Sequence, residues 1–148
     1  MALGTNLPFW PALIFTYLEP LSLIVGLHAA CTDPADFVAR QLPSPSGPIP
    51  DHALVLSYTL GNLFLVVAAL AVLCTAITRE ARVTKYYLAF GAIGDLGHIY
   101  ASYAVMGREV FLNLNGYNDM MWGNIGISAF LHINRLATVL GVFGKVGR

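Results

Sequence analysis

Charged residues are scarce in this sequence. Lys and Arg total 8, Asp and Glu total 8, and together they make up only 11% of the 148 residues, with zero net charge. An ordinary soluble domain carries about 25% charged residues, and a surface that binds nucleic acid needs an excess of basic residues to neutralise phosphates. The composition therefore argues against a soluble globular protein, against disorder and against a nucleic-acid partner.

Cysteine is also scarce, with only Cys31 and Cys74 in the chain. The hydrophobic pattern places them near opposite faces of a membrane, too far apart for a disulfide. Neither has a partner at a spacing typical of metal ligands. The sequence thus predicts neither a disulfide nor a cysteine-based metal site.

Long apolar runs are what the sequence has instead, since 57% of its residues are hydrophobic and its mean hydropathy is +0.67. Four runs approach or exceed the length of about 20 residues that spans a bilayer. They predict an all-α, four-transmembrane-helix bundle that forms a single domain over residues 1–148, with helices at about 9–30, 53–78, 86–106 and 120–144. The first run has no basic start and contains Glu19 and Pro20, which favours a retained helix over a signal peptide.

The distribution of Lys and Arg predicts the orientation of these helices, because short cytosolic loops are enriched in both. The turn at 79–85 and the C-terminal tail hold five of them, against Arg40 and Arg108 on the other side. Both termini are therefore predicted on the cytosolic side, as suits an endoplasmic-reticulum membrane. Of the opposite loops, 31–51 contains a proline-rich stretch, Leu42–Pro48, expected to be an extended connector.

Ionisable residues inside a bilayer are costly and are functional candidates by default. Glu19, Asp95 and Arg135 each interrupt one apolar run near its middle, and Asn62 lies near the middle of another. Four helices are thus predicted to bring polar groups to one depth. His98 follows Asp95 by three residues and shares its helix face, so it is expected to orient the carboxyl.

Two interpretations of this polar layer remain open. The three charged residues can form a structural ion-pair cluster that fixes the helix packing. Alternatively, since two acids share one base, one carboxyl lacks a full partner and stays protonated, ready to act as a general acid. A metal or haem site using His98 and His132 is a weaker third interpretation, because no pair of ligands recurs on one helix.

Further side chains are candidates for binding or orienting a substrate. Asn62 and Tyr100 are expected to orient a substrate oxygen, and Tyr58 lies a turn before Asn62. Trp122 and Asn124 begin the fourth run, where they fit either an aromatic interface anchor with a capping Asn or the closure of the pocket mouth.

Five motifs carry a resemblance to a known family. They are YLEPL at 17–21, GNLF at 61–64, GDLGHIY at 94–100, WGN at 122–124 and NR at 134–135. With these motifs the chain resembles a family of small fungal four-span membrane proteins that is described only as a domain of unknown function. The resemblance implies an association with polyketide and terpenoid biosynthesis. It also implies a likeness to membrane epoxide hydrolases of polyene-pyrone pathways and, distantly, to membrane terpene cyclases and four-span sterol isomerases.

The predicted function is a membrane-embedded acid–base enzyme, independent of cofactors, that opens an epoxide in a lipophilic secondary metabolite by hydrolysis or cyclisation. Asp95 is the expected acid, with Glu19 as base or second acid and Arg135 keeping one carboxyl ionised. The expected partners are this substrate and membrane lipid, and the sequence leaves self-association open. A terpene cyclase, a double-bond isomerase and a non-catalytic lipid-binding or scaffolding protein are the alternatives.

Overall fold

The computed structural model describes residues 2–43 and 47–147, and within these ranges it contains helices and no strand. The predicted all-α class is confirmed. The five main helices are α1 Phe9–Thr32, α2 Pro34–Ala39, α3 Asp51–Ile77, α4 Ala81–Leu112 and α5 at residues 119–139. Two of them, α1 and α3, are long and apolar enough to cross a membrane. Helices α4 and α5 contain more polar residues, which lower their mean hydropathy.

Helix α1 contains a widened stretch at Leu13–Leu18, where the N–H of Glu19 donates to the carbonyl of Ile14, five residues earlier. Pro20 comes next and has no N–H to donate, so the ordinary four-residue hydrogen-bond ladder is interrupted here. Wide turns of this kind form at such interruptions. Glu19 consequently lies on the inner face and is 5% exposed, whereas Leu18 beside it is 52% exposed.

The long helices pack as two pairs, α1 along α3 and α4 along α5. The first half of α1 also reaches across to α5, so it joins the two pairs. A small apolar core lies at this junction. Its buried members are Leu7, Ala12, Ile14, Phe15, Leu88 and Val146.

Both chain termini and the turn between α3 and α4 meet at one end of the bundle, called here the termini end. The side-chain amide of Asn6 donates to the carbonyl of Thr78 at 3.0 Å. The N–H of Gly147 donates to the carbonyl of Asn6 at 2.7 Å. The segments that precede α1 and follow α5 are therefore tied to the α3–α4 turn.

The opposite end is held by a set of contacts between the α2 segment and the start of α5, called here the loop clasp. The Asn118 side-chain amide donates to the carbonyls of Arg40 at 3.1 Å and Leu42 at 3.4 Å. Its oxygen accepts from the N–H of Met121 and so caps α5. Arg40 also donates to the Asp119 carboxylate, and this hydrogen bond and charge lower the pKa of Asp119.

Several predicted boundaries need correction. The loop at 31–51 contains helix α2, because Asp33 caps it by accepting from the N–H of Asp36. Of the predicted connector Leu42–Pro48, residues 44–46 lie outside the described part of the chain. Helix α4 begins at Ala81, inside the predicted basic turn, and its backbone breaks at Gly107 (φ 73°). That break lies one residue past the predicted end at 106.

The two ends of α5 also differ from the prediction of 120–144. The helix stops at Val139, because the chain turns at Gly141, whose φ of 82° is readily available only to glycine. At its start the capping residue is Asn118, not Asn124 as the sequence suggested. Asn124 lies within the helix and donates to the side-chain oxygen of Gln41.

Candidate functional site

Arg135 lies at the centre of a buried charge cluster and is only 3% exposed. Its Nη1 donates to both oxygens of Asp95, at 3.0 and 2.7 Å. Its Nη2 donates to Oε1 of Glu19. We call Arg135, Glu19 and Asp95 the Arg135 cluster. The structure thus brings together the three charged residues that the sequence placed at one depth.

Three helices supply this cluster, one residue each. Glu19 comes from α1 just after the wide turns, Asp95 from the middle of α4, and Arg135 from α5. Gly91, one turn before Asp95, allows the close approach of α5. A Cβ atom placed on Gly91 would lie only 2.5 Å from Nε of Arg135, so a larger residue would displace the guanidinium.

Beside its carboxylate partners, the guanidinium also contacts an aromatic ring. The Arg135 Cζ atom lies 5.3 Å from the ring centroid of Phe15, which is fully buried. Such a cation over an aromatic face is attracted to the ring electrons. The aromatic contact and the two carboxylates fix the plane of the guanidinium.

Four buried side-chain polar atoms have no hydrogen-bond partner among the described residues, and three of them belong to the Arg135 cluster or lie beside it. They are Oε2 of Glu19, Nε of Arg135, the hydroxyl of Tyr87 and Oγ1 of Thr16. The Tyr87 hydroxyl lies close enough to Glu19 and Arg135 to interact electrostatically with both, although it meets full hydrogen-bond geometry with no described residue. Buried polar groups are nearly always paired, so these unpaired atoms call for a specific explanation, and a catalytic role is one of those that apply to such groups.

The charge balance of the cluster determines its chemistry. One guanidinium cannot neutralise two buried carboxylates, and an uncompensated buried charge is expensive. A single proton shared between the carboxyls makes the cluster neutral. Both Asp95 oxygens face the guanidinium, whereas Oε2 of Glu19 has no hydrogen-bond partner in the described part of the chain. Oε2 is the oxygen on which a transferable proton fits best.

Two histidines lie on the helices that carry Asp95 and Arg135. His98 is half-buried and forms no side-chain hydrogen bond within the described ranges. His132 Nδ1 lies 2.8 Å from the carbonyl of Ala92, and its ring is close enough to Asp95 to interact with it electrostatically. His132 therefore has the electrostatic contact that the sequence assigned to His98. Residues 2–43 and 47–147 contain no group of three His, Cys, Asp or Glu arranged to hold a metal.

Other candidates are not brought to the Arg135 cluster. Asn62 is exposed, and its neighbour Gly61 faces inward instead. Tyr58 and Tyr100 are 52% and 68% exposed. Trp122 is half-exposed near the loop clasp, where its ring packs edge-on against Tyr117 at 5.3 Å. The roles expected for these residues stay predictions.

Two features of the site were not predicted. One is Tyr87, whose spacing of four residues from Gly91 and eight from Asp95 puts all three on one helix face. The other is Trp10, whose indole N–H donates to the side-chain oxygen of Asn134 at 2.9 Å. This bond links α1 to α5 beside Arg135.

Among known proteins, the chain matches one family model. The model for a domain of unknown function, DUF7704, matches residues 4–145. No curated protein and no solved structure matches the chain. The family match covers all five helices, including every residue of the Arg135 cluster.

Proposed function

The chain belongs to the DUF7704 family, and from this premise and the Arg135 cluster we propose that it is a membrane-embedded acid–base enzyme that opens an epoxide in a lipophilic molecule. The observation that carries the proposal is the buried sharing of one guanidinium between Glu19 and Asp95, with Oε2 of Glu19 unpaired. A structural ion pair needs one carboxylate for one cation. The second carboxyl is what acid–base chemistry requires.

The membrane setting is supported by the surface of the helices. Helices α1 and α3 meet the length and hydropathy of a span. Large apolar side chains project outward from both, including Val25 at 69% and Leu56 at 66% exposure. Water would oppose so much exposed apolar surface, whereas lipid tails accommodate it. We therefore place this surface in contact with lipid.

We further propose that α4 and α5 also cross the bilayer, which gives four spans. The meeting of both termini with the α3–α4 turn supports an even number of crossings. The basic residues near these segments support a cytosolic location for the termini end. The endoplasmic reticulum remains the proposed membrane.

The proposed reaction uses the two carboxyls in complementary roles. Protonated Glu19 gives its proton to the epoxide oxygen as a carbon–oxygen bond of the ring breaks. A water oxygen forms the new bond to that carbon, and the Asp95 carboxylate accepts the proton that the water loses. Epoxide and water thus become a diol, and one proton returning from Asp95 to Glu19 restores the cluster. This assignment reverses the expected order, in which Asp95 was the acid.

Arg135 serves both steps by holding the carboxyls on adjacent nitrogens of one rigid group. It also stabilises whichever carboxyl is ionised at each stage. The motif resemblance supports a polyketide or terpenoid product as the substrate. Cyclisation and double-bond isomerisation use the same proton donor and differ in whether water takes part.

Product analysis in heavy-oxygen water tests the proposal. Membranes that contain the chain are supplied with a panel of lipophilic epoxides, and products are identified by mass spectrometry. We expect a diol that carries one heavy oxygen. A rearranged product without label would replace hydrolysis by cyclisation or isomerisation at the same site. The absence of any conversion across the panel would contradict the enzyme proposal and favour a lipid-binding or scaffolding role.

Carboxyl variants connect that activity to the site. Positioned acid–base catalysis contributes roughly 10²–10⁴-fold, so Glu19→Gln and Asp95→Asn should each reduce turnover by about that factor. Glu80→Gln is the matched control, because Glu80 is exposed in the α3–α4 turn. Normal turnover in both Glu19→Gln and Asp95→Asn would show that the Arg135 cluster takes no part in catalysis.

A further inference from the structure

A groove opens between α3 and α4, on the outer surface of the bundle and beside the Arg135 cluster. Its volume is about 440 Å³. Helix α3 contributes Val67, Leu70 and Cys74, and helix α4 contributes Tyr86, Phe90 and the ring of Tyr87. We call it the α3–α4 groove. Its walls are almost entirely apolar.

The outer rim of the groove is exposed where a spanning protein meets lipid. Leu70 is 43% exposed and Phe90 is 69% exposed. A molecule dissolved in the bilayer can therefore enter sideways without crossing water. Water-soluble ligands are disfavoured, because the apolar walls offer them almost no hydrogen-bond partners.

The inner end of the groove has a different character. Tyr87 and Gly91 form this part of the lining. The Tyr87 hydroxyl is buried and unpaired, and Gly91 lies directly against the unpaired Nε of Arg135. An apolar passage therefore ends beside a phenol and a guanidinium N–H, and neither donor has an acceptor at hydrogen-bond geometry within residues 2–43 and 47–147.

We propose that the α3–α4 groove binds a slender aliphatic molecule carrying one ether-type oxygen, and that this oxygen accepts a hydrogen bond from Tyr87. The aliphatic part lies along the apolar walls, and the oxygen gives the Tyr87 hydroxyl an acceptor at the hydrogen-bond geometry that no described residue provides. The inference rests on the proposed function, since it names the entry route and the oxygen-binding residue of the same site. Tyr87 is a substrate-positioning residue that the sequence did not identify.

Native cysteines allow a direct binding test. Cys74 lines the groove, whereas the sulfur of Cys31 lies against Gly61, at a position outside the groove. The wild-type chain in lipid nanodiscs is treated with a lipophilic maleimide, and labelling of each cysteine is quantified by mass spectrometry. Cys31 serves as the internal control for general effects of a ligand on the lipid.

The probe is 2-decyltetrahydrofuran, a cyclic ether without the strain of an epoxide, which binds but is not opened. Decylcyclopentane has nearly the same shape and lacks the oxygen. We expect the ether to protect Cys74 at roughly fivefold lower concentration than the hydrocarbon, as one hydrogen bond provides. Cys31 labelling should not change with either compound.

Two tyrosine variants assign the oxygen-binding group. Tyr87→Phe should abolish the difference between ether and hydrocarbon while leaving protection by the hydrocarbon unchanged. Tyr86→Phe is the matched control, because Tyr86 also lines the groove but is 58% exposed, and it should preserve the difference. If Tyr86→Phe abolished the difference instead, the assignment to Tyr87 would be overturned.

The remaining outcomes separate this inference from the proposed function. Equal protection of Cys74 by both compounds would mean that the groove binds apolar chains such as lipid tails without recognising an oxygen. No protection of Cys74 would mean that the groove binds neither the ether nor the hydrocarbon. Each of these two results would overturn the inference. Either could occur in an enzyme that still converts epoxides. Conversely, ether-selective protection in a chain without turnover would preserve the binding site and contradict the catalytic proposal.

Discussion

At the scale of single residues, the central feature is a cation that serves two anions. Arg135 contacts Glu19 through one terminal nitrogen and Asp95 through the other. Removing either carboxylate leaves the other to neutralise the guanidinium. Removing both leaves a buried and unpaired charge, which is strongly destabilising. The two carboxyls are therefore expected to be coupled in stability as well as in chemistry.

A double-mutant cycle measures this coupling. Glu19→Gln and Asp95→Asn should each cost about 1 kcal/mol of stability. The double variant should cost about 3–5 kcal/mol, because Arg135 then has no counter-ion. Thermal unfolding in detergent gives the comparison. Additive losses would show that the carboxyls do not share the cation.

Gly91 offers a second test at the same scale. In Gly91→Ala the new methyl group meets Arg135 Nε, and forcing a side chain aside in a packed interior costs about 1–3 kcal/mol. Gly94→Ala is the matched control on the same helix, since a Cβ there has nothing within 4 Å. The control should be neutral or more stable by up to about 1 kcal/mol, because alanine favours helix. Equal thermal shifts would contradict the close packing of α4 on Arg135.

At the scale of helices, the interruption near Pro20 determines where Glu19 points. Adjacent residues on an α-helix differ by about 100° around its axis. A sequence shows that Glu19 and Asp95 lie mid-run, and helical spacing puts Tyr87 on the face of Asp95. It does not show which face turns inward, because one wide turn changes the direction, around the helix axis, of every side chain that follows it. Asn62 shows the same limit within a regular stretch of α3, where Gly61 occupies the inner position expected for Asn62.

The loop clasp gives a prediction at this scale. Asn118→Ala removes the cap of α5 and both bonds to the α2 segment, and the lost cap alone costs about 0.5–2 kcal/mol. Asn115→Ala is the control, because Asn115 is exposed nearby and holds no such position. Thermal unfolding of the pair should separate them. If the two variants matched, the clasp would have no role in holding α5.

At the scale of the whole molecule, the structure contains two helix pairs joined through the first half of α1, with the Arg135 cluster bridging them. The sequence predicted the all-α class and the three charged members of the site, because ionisable residues stand out in apolar runs. It could not locate the α3–α4 groove, since a groove between two helices depends on how the pairs are set against each other. The sequence analysis missed the short helix α2, because the prolines of the same loop favour an extended connector.

Topology mapping tests the proposed four spans. Glycosylation acceptor sites are inserted at the N-terminus, at the C-terminus and in the segment 113–117 that follows α4, one at a time. We expect modification only of the last, because the contacts at the termini end place both termini on one side. Modification of a single terminus would mean an odd number of crossings.

The most direct test of the central claim compares turnover and stability in one preparation of Glu19→Gln. The amide keeps the shape of the protonated carboxyl but cannot give up its proton. The account predicts that turnover of a lipophilic epoxide falls by roughly 10²–10⁴-fold, while the melting temperature falls only by the few degrees that a loss of about 1 kcal/mol produces. A variant that melts far lower yet turns over normally per folded molecule would contradict the account and make the Arg135 cluster purely structural.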